Sequence, residues 1–316
     1  MPVLVLPAAL RAQATRVYRI SYLTLYRPMA QNRYTDILKE ALRELGYEEG
    51  RNLVFDYRHG EGDLARMPEV AAAMVRDRPD VIVTAVNAYT RFAQQATRDI
   101  PIVMVVGTDV VEEGFVRALA RPGGNITGLA WEAGVGIFSK RIEFLKEAIP
   151  GMTRLALLWD RGQDASAFRS VFEADAAAAG LRVIALDLEQ VETDLEPHFS
   201  RAVREGAQAI ATGGGNRLFR RHREVVALAA KYRLPDTHYD SIFVEAGGLM
   251  SYAPSLQGLF RRSAVYVDKI LRGANPAELP VEQPTQYDFV INLGTAKKLG
   301  ITVPQSLLLR ADRLIQ

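Results

Sequence analysis

The residues of this chain that are able to do chemistry gather where apolar runs end. Tyr22, Thr24, Tyr26 and Arg27 follow one such run, Thr84, Asn87 and Tyr89 another, and Gly107, Thr108 and Asp109 a third. Further on, Trp159 and Asp160 close a run, as do Thr212, Gly213, Gly214, Gly215 and Asn216, and then Tyr239, Asp240 and Ser241. Trp131, Glu132, Ser251 and Tyr252 join them as residues of segments expected to pass between two halves of the molecule. Both tryptophans of the chain and five of its twelve tyrosines (Tyr22, Tyr26, Tyr89, Tyr239, Tyr252) are in this set. Aromatic faces interspersed with a few polar groups suit a flat or partly apolar small molecule. Arg27 or Arg217 is able to fork onto a carboxylate, and Asp109, Asp160 or Asp240 to receive an ammonium group. The chemistry indicated is binding of an amino acid or an aromatic carboxylate. The competing role for each aromatic is packing, in a core or between halves.

The run Thr212-Gly-Gly-Gly-Asn216 precedes a helical pattern, and backbone N–H groups at such a junction are able to cradle an anion. It fits neither the P-loop nor the GxGxxG spacing, and a tight strand-to-helix turn explains it equally well. Arg121-Pro-Gly-Gly-Asn125 reads as a turn.

Turnover chemistry finds little support. The chain has no cysteine, which excludes thiolate nucleophiles, thiolate zinc sites, iron–sulfur clusters and disulfides. Its four histidines (His59, His198, His222, His238) form no ligand pair, no G-x-S-x-G is present, and no spacing singles out two carboxylates. Neither a metal nor a cofactor is expected. The net charge of +2, from 39 basic and 37 acidic residues, supplies no field that would draw nucleic acid.

The elements that must position these residues alternate. Val17–Leu23, Leu53–Tyr57, Val81–Thr84 and Ile102–Val106 read as strands. Helices over Tyr34–Leu45, Met67–Val75 and Thr90–Thr97 separate them, the first having apolar residues at Tyr34, Ile37, Leu38, Ala41, Leu42 and Leu45. The pattern restarts with strands Leu155–Trp159, Arg182–Leu186 and Ala207–Thr212, and helices Ser166–Ala179, Leu195–Arg204 and Leu218–Tyr232. Gly46 and Gly180 close corresponding helices, and Thr84 and Thr212 corresponding strands, at a spacing of about 130 residues, which predicts two similar α/β domains. The tail, with strands Leu249–Tyr252 and Tyr287–Ile291, helices Gln257–Leu271 and Thr295–Leu299 and the extended Leu279–Pro284, is too small for a core of its own and completes the earlier lobes.

The predicted fold is therefore α/β: two Rossmann-like lobes with parallel sheets flanked by helices, joined by a multi-strand hinge. Lobe 1 takes residues 16–130 plus 251–279 and lobe 2 residues 131–250 plus 280–316. Ligands of open α/β sheets sit beyond the carboxyl ends of the strands, which places the expected site in a cleft between the lobes.

At the start, Val3–Leu10 is a short apolar run followed by Ala12-Gln13-Ala14, the small-residue pattern of a secretory cleavage site. Residues 1–15 are expected to be the remnant of a signal peptide, the mature chain beginning near Thr15. No later run approaches the roughly 18 apolar residues of a spanning helix, so a free periplasmic protein is expected.

Several segments together resemble a known family. Leu42–Leu53 (LRELGYEEGRNL), Ile100–Val103 (IPIV), Leu119–Gly128 (LARPGGNITG) and Gly247–Tyr252 (GGLMSY) are similar to segments of ABC-transporter substrate-binding proteins of the tryptophan/tyrosine type. Tyr266–Leu271 (YVDKIL), Leu279–Thr285 (LPVEQPT) and Val290–Leu293 (VINL) are similar to the same family, so the likeness runs from about Arg16 to Ile315. The resemblance implies a type I periplasmic-binding-protein fold that closes on its ligand like a hinged clamp. It also implies a monomer that delivers a small molecule to a membrane ABC permease. Two stretches depart from the family pattern. Ala85-Val-Asn-Ala-Tyr89 stands where Gly or Pro is common, and Asp109-Val110 where Asp-Pro is common. Both fall on the expected site, so the ligand of other members does not transfer directly. A soluble sensing module of the same fold and a two-lobed enzyme acting on a small metabolite are the alternative functions.

Overall fold

The computed structural model describes residues 16–27, 33–131, 136–160, 166–188 and 194–316. The expected signal segment and Glu132 lie outside them. The chain forms two compact units: unit 1 holds the described residues up to Ala130 together with Phe260–Glu282, and unit 2 holds Trp131–Leu259 and Gln283–Gln316.

Unit 1 runs β1 (Tyr18–Thr24), α1 (Arg33–Glu44), β2 (Leu53–His59), α2 (Met67–Arg76), β3 (Val81–Val86), α3 (Asn87–Ala96), β4 (Ile102–Gly107) and β5 (Ile126–Ala130). All neighbouring strands are parallel, in the order β2-β1-β3-β4-β5. The central strands are apolar on both faces because helices cover both, as parallel sheets require. Leu23, Ile82 and Met104 pack against Met67, Met74 and Ala93 of α2 and α3.

Unit 2 runs α4 (Ile137–Ala148), β6 (Arg154–Asp160), α5 (Ser166–Ala178), β7 (Arg182–Leu188), α6 (Glu196–Arg204), β8 (Ala209–Thr212), α7 (Asn216–Arg220), α8 (His222–Lys231), β9 (Asp236–His238), α9 (Ser241–Glu245) and β10 (Met250–Pro254). After α10 (Leu256–Leu271) come β11 (Tyr287–Asn292), α11 (Leu293–Leu299), α12 (Gln305–Arg310) and β12 (Arg313–Ile315). The sheet order is β12-β11-β10-β9-β8-β6-β7. The period-2 geometry of a strand sorts β6 cleanly. Leu155, Leu157 and Trp159 join the core with Phe144 and Phe172, while Ala156 and Leu158 join the other face with Ile184, Phe199 and Val225.

The stretch β7-β6-β8-β9-β10 repeats the order of β2-β1-β3-β4-β5, which is the physical content of the 130-residue spacing. In each unit the order reverses between the first and third strands, β1/β3 and β6/β8, and ligands of such sheets sit beyond the carboxyl ends at that switch point. The registers match as well: Leu23 lies beside Thr84, and Leu158 beside Thr212.

Several boundaries differ from expectation. Residues 251–259 belong to unit 2, because β10 pairs with β9 and β11. Residues 280–282 belong to unit 1, where Val281 N donates to Leu119 O at 2.7 Å and Ala130 N to Glu282 O at 2.8 Å. From Phe260 on, α10 lies on α1: Phe260 stacks on Tyr34 at 5.2 Å, and the Tyr47 hydroxyl donates to Asp268 at 2.9 Å. The sheet of unit 2 is not wholly parallel, since β11 runs antiparallel to β10. Between them the chain leaves for unit 1 and returns, so no right-handed crossover forces the pair to be parallel. The single helix expected over Leu218–Tyr232 is two, α7 and α8, parted at Arg221. The strand β5 and the short strands β9 and β12 were not among the expected elements.

Candidate ligand-binding site

In unit 1 the carboxyl end of β1 carries Tyr22, Thr24 and Tyr26. Tyr22 is buried, its ring stacked on Phe55 at 6.3 Å and edge-on to Tyr57 at 5.9 Å. Burial first, and then the neighbouring phenols of Tyr89 and Tyr57, push its ionisation far above the ordinary tyrosine range, so it is a neutral hydroxyl at any physiological pH. Thr24 and Tyr26 are half-buried; the Thr24 carbonyl accepts from Gly60 N at 3.4 Å. Arg27 is exposed and pairs with Glu61, which also holds Arg66.

Beside β1, Thr84 is fully buried and shares a 2.7 Å hydrogen bond with the Thr90 hydroxyl. Asn87, the first residue of α3, clamps the loop after β4: its amide donates to Thr108 O at 2.7 Å and accepts from Thr108 N at 2.9 Å. Both partners of this two-way clasp were expected at the site. Tyr89 is 2% exposed and packs with Leu23, Leu25 and Val110. Asp109 adopts φ +46°, a left-handed conformation uncommon outside glycine. Its carboxyl is raised above the usual range, mainly by burial and then by Glu112 and Glu113.

In unit 2 the carboxyl ends of β6, β8 and β9 converge around the turn Gly213–Gly215. Asp160, its side chain fully buried, accepts from Arg217 Nε at 3.0 Å and from Arg217 N at 3.2 Å. The carboxylate thus tethers the start of α7 back to β6. The Tyr239 hydroxyl donates to Gly215 O at 2.8 Å and holds the other side of the same turn. Burial, then Asp240 and Asp160, raise the Tyr239 phenol well above its ordinary range. Asp240 caps α9 through Ile242 N at 2.8 Å. Asp160 and Asp240, expected as ammonium acceptors, are therefore already engaged within their own unit. The turn opens on free space at Gly214, where a Cβ would meet nothing within 4 Å. The backbone of Asn216 begins α7; its side chain lies outside the described residues.

The three other expected aromatics have different surroundings. Trp131 is half-buried and follows β5. The Trp159 indole is 3% exposed and turns into the core of unit 2, close against Gly213. Tyr252 is half-buried in an aromatic group of its own unit, edge-on to Phe144 at 5.2 Å and stacked on Tyr287 at 5.6 Å.

Two features at this edge escaped the sequence. Arg141 of α4 is 1% exposed and donates to Thr212 O at 2.7 Å and Thr237 O at 3.3 Å, joining the ends of β8 and β9. Burial lowers its guanidinium to about 10, so it remains a cation at neutral pH. A signal exists: Arg141 stands at the i position of the stripe completed by Leu145 and Ala148, where an apolar residue is the rule. Beneath it, Asp236 Oδ2 lies 2.7 Å from His238 Nε2, His238 Nδ1 lies 3.1 Å from the Thr212 hydroxyl, and Leu249 N donates to Asp236 Oδ1 at 2.6 Å. The i, i+2 spacing puts Asp236 and His238 on one face of β9. All three polar residues are buried, so the chain of bonds holds strands together. Asp236→Ala leaves His238 Nε2 and the Leu249 N–H without their partner and is expected to cost about 2–4 kcal/mol. Urea unfolding of unit 2 checks this, with Asp236→Asn retaining part of the loss.

The comparisons with known proteins decide the family. A family model described as ABC transporter substrate binding protein matches residues 29–315. The chain belongs to this family. Among curated proteins, this substrate-binding protein is 23% identical over 262 residues to a tyrosine-binding protein of Clostridioides difficile, covering 83% of this chain and 75% of that one. A solved structure from Streptococcus pneumoniae, an ABC domain in complex with L-Trp, superposes with a TM-score of 0.83 at 25% identity, covering 95% of this chain and all of that one. A conserved domain protein from Vibrio cholerae gives a TM-score of 0.84 at 25% identity, with the same coverages. The fold is the type I periplasmic-binding-protein fold, α/β with helix-flanked sheets. Among the described residues no helix is long and apolar enough to cross a membrane, and no three His, Asp or Glu side chains gather as a metal site.

Proposed function

We propose that this substrate-binding protein is the extracytoplasmic receptor of an ABC importer and that it binds an amino acid or aromatic carboxylate without turning it over. The observation that carries the reading is the repeated switch point. Two sheets of one strand order present phenols, hydroxyls and charged groups at the same carboxyl ends, in a family of binding proteins. Relatives bound to L-Trp or described as tyrosine-binding support the ligand class. Tyr22, Thr24, Tyr26, Thr84, Asn87, Tyr89, Thr108 and Asp109 would contribute from unit 1, and Asp160, Gly214, Gly215, Asn216, Tyr239 and Asp240 from unit 2, with Trp131, Trp159 and Tyr252 in support. Ligand contact with residues of both units favours a closed state over an open one, and that difference is the signal a membrane permease reads. The protein acts as a monomer in the periplasm after cleavage near Thr15.

Thermal unfolding with L-tyrosine, L-tryptophan, L-phenylalanine and benzoate tests the proposal. A cognate ligand at a hundred times its Kd adds about 2.7 kcal/mol, with one-to-one stoichiometry by calorimetry and compaction in small-angle scattering. If none of these probes raises the midpoint, the ligand class is wrong; if a bound probe is chemically altered on incubation, the protein is an enzyme.

A further inference from the structure

Arg141 is a buried cation with no ion-pair partner among the described residues. Its described partners are two backbone carbonyls, Thr212 O and Thr237 O, and its Nε has no partner among the described residues. A buried charge is ordinarily paired, because leaving it unpaired in a poorly polarisable interior is costly. Strand-end carbonyl dipoles offset part of that cost but supply no net negative charge. At the other end of the Gly213–Gly215 turn, Arg217 satisfies Asp160 with Nε and its backbone N–H, and its Nη1 is buried and unpartnered among the described residues. Two guanidinium groups, from α4 and α7, are therefore anchored at the two ends of this turn, each with one donor atom unpartnered among the described residues, and the Gly214 side of the turn faces open space. Tyr239 ties the cluster together: it hydrogen-bonds Gly215 O and lies within electrostatic reach of Arg141, Asp160 and Asp240.

We infer that unit 2 receives the carboxylate group of the ligand at this turn, Arg217 making the contact and Arg141 supplying behind it a buried positive charge with no described ion pair of its own. The inference deepens the receptor reading and rests on it. Arg217 is already oriented by Asp160, so little side-chain freedom is lost when a carboxylate arrives, and an arginine fork fits a carboxylate geometrically. Arg141 acts as a positioning residue: it fixes the carbonyl ends of β8 and β9 and biases the local field, without being required to touch the ligand.

The test uses the full chain and three matched pairs, each differing in the carboxylate: L-tyrosine with tyramine, L-tryptophan with tryptamine, and benzoate with benzamide. Calorimetry on the unmodified protein is expected to show an acid bound and its counterpart weakened by about tenfold or more, the worth of a charge-assisted pair. In Arg217→Gln the preference for the acid collapses while binding of the counterpart is retained. Arg141→Lys keeps the charge and most of the preference; Arg141→Met loses it. Thermal unfolding of each variant separates loss of preference from loss of fold, and where Arg141→Met does not fold, the Arg217→Gln and Arg141→Lys ratios decide. Acid and counterpart binding equally to the unmodified protein, or an unchanged ratio in Arg217→Gln, would overturn the assignment while leaving the receptor reading intact. Failure of every acid to bind would overturn both.

Discussion

Gly213→Ala is expected to destabilise unit 2 by about 4 kcal/mol or more, well above the cost of an ordinary overpacking change. A Cβ at this position would stand 1.6 Å from Cε3 and 2.0 Å from Cζ3 of the Trp159 ring. Neither side can give way. The indole is wedged in the core with Phe144, Phe172 and Leu157, and Gly213 N is held by Leu158 O at 2.9 Å. The effect belongs to the pair, so a double-mutant cycle reads it: in a Trp159→Leu background, adding Gly213→Ala costs far less than it does alone. Equal cost in both backgrounds would mean that the ring is not what excludes the methyl group.

Asp160→Ala has the second large effect, and it separates stability from binding. The carboxylate is fully buried and holds both the side chain and the backbone N–H of Arg217. Removing one partner of a buried pair leaves the other charge unmatched, worth about 3–5 kcal/mol where escape is impossible. Arg217 keeps 14% of its side chain exposed and is able to turn outward, so a loss of about 3 kcal/mol is expected. Gly215 sits against the same carboxylate, so the turn loses its tether to β6 along with the ion pair. Asp160→Asn preserves an acceptor for the backbone N–H and recovers part of the stability, yet leaves Arg217 without its anion. Urea unfolding is expected to rank the chains unmodified, Asn, Ala. Calorimetry with the tightest of the three acids is expected to show weakened binding in both variants.

The parts of the molecule legible in the sequence were those where burial and chain direction speak through periodicity. β3 and β6 are apolar on both faces and announce a covered parallel sheet, and Gly46 and Gly180 mark corresponding helix ends through their positive φ. The strand ends named at the outset do lie at carboxyl edges, because alternation fixes direction once strands are parallel. What stayed hidden was set by tertiary pairing. β9 is Asp-Thr-His, three polar residues that no hydropathy pattern marks as a buried strand; only their bonds to one another and to Thr212 and Leu249 make them one. Arg141 left only an indirect mark, a charge on an apolar stripe, whose meaning depends on the two backbone carbonyls it meets in the fold. Trp159 is the converse case: the alternation of β6 alone puts its ring on the same face as Leu155 and Leu157, in the core rather than at a rim.

The division of unit 1 between two stretches of chain has a consequence for its biosynthesis. On the ribosome, Tyr34 and Tyr47 emerge early, but the helical segment that covers them begins at Phe260, after the whole first stretch of unit 2, Trp131–Leu259, has been translated. The nascent amino-terminal unit must therefore wait, with an apolar flank bare, until the polypeptide has doubled back. Such an unfinished intermediate is the species that holdase chaperones recognise.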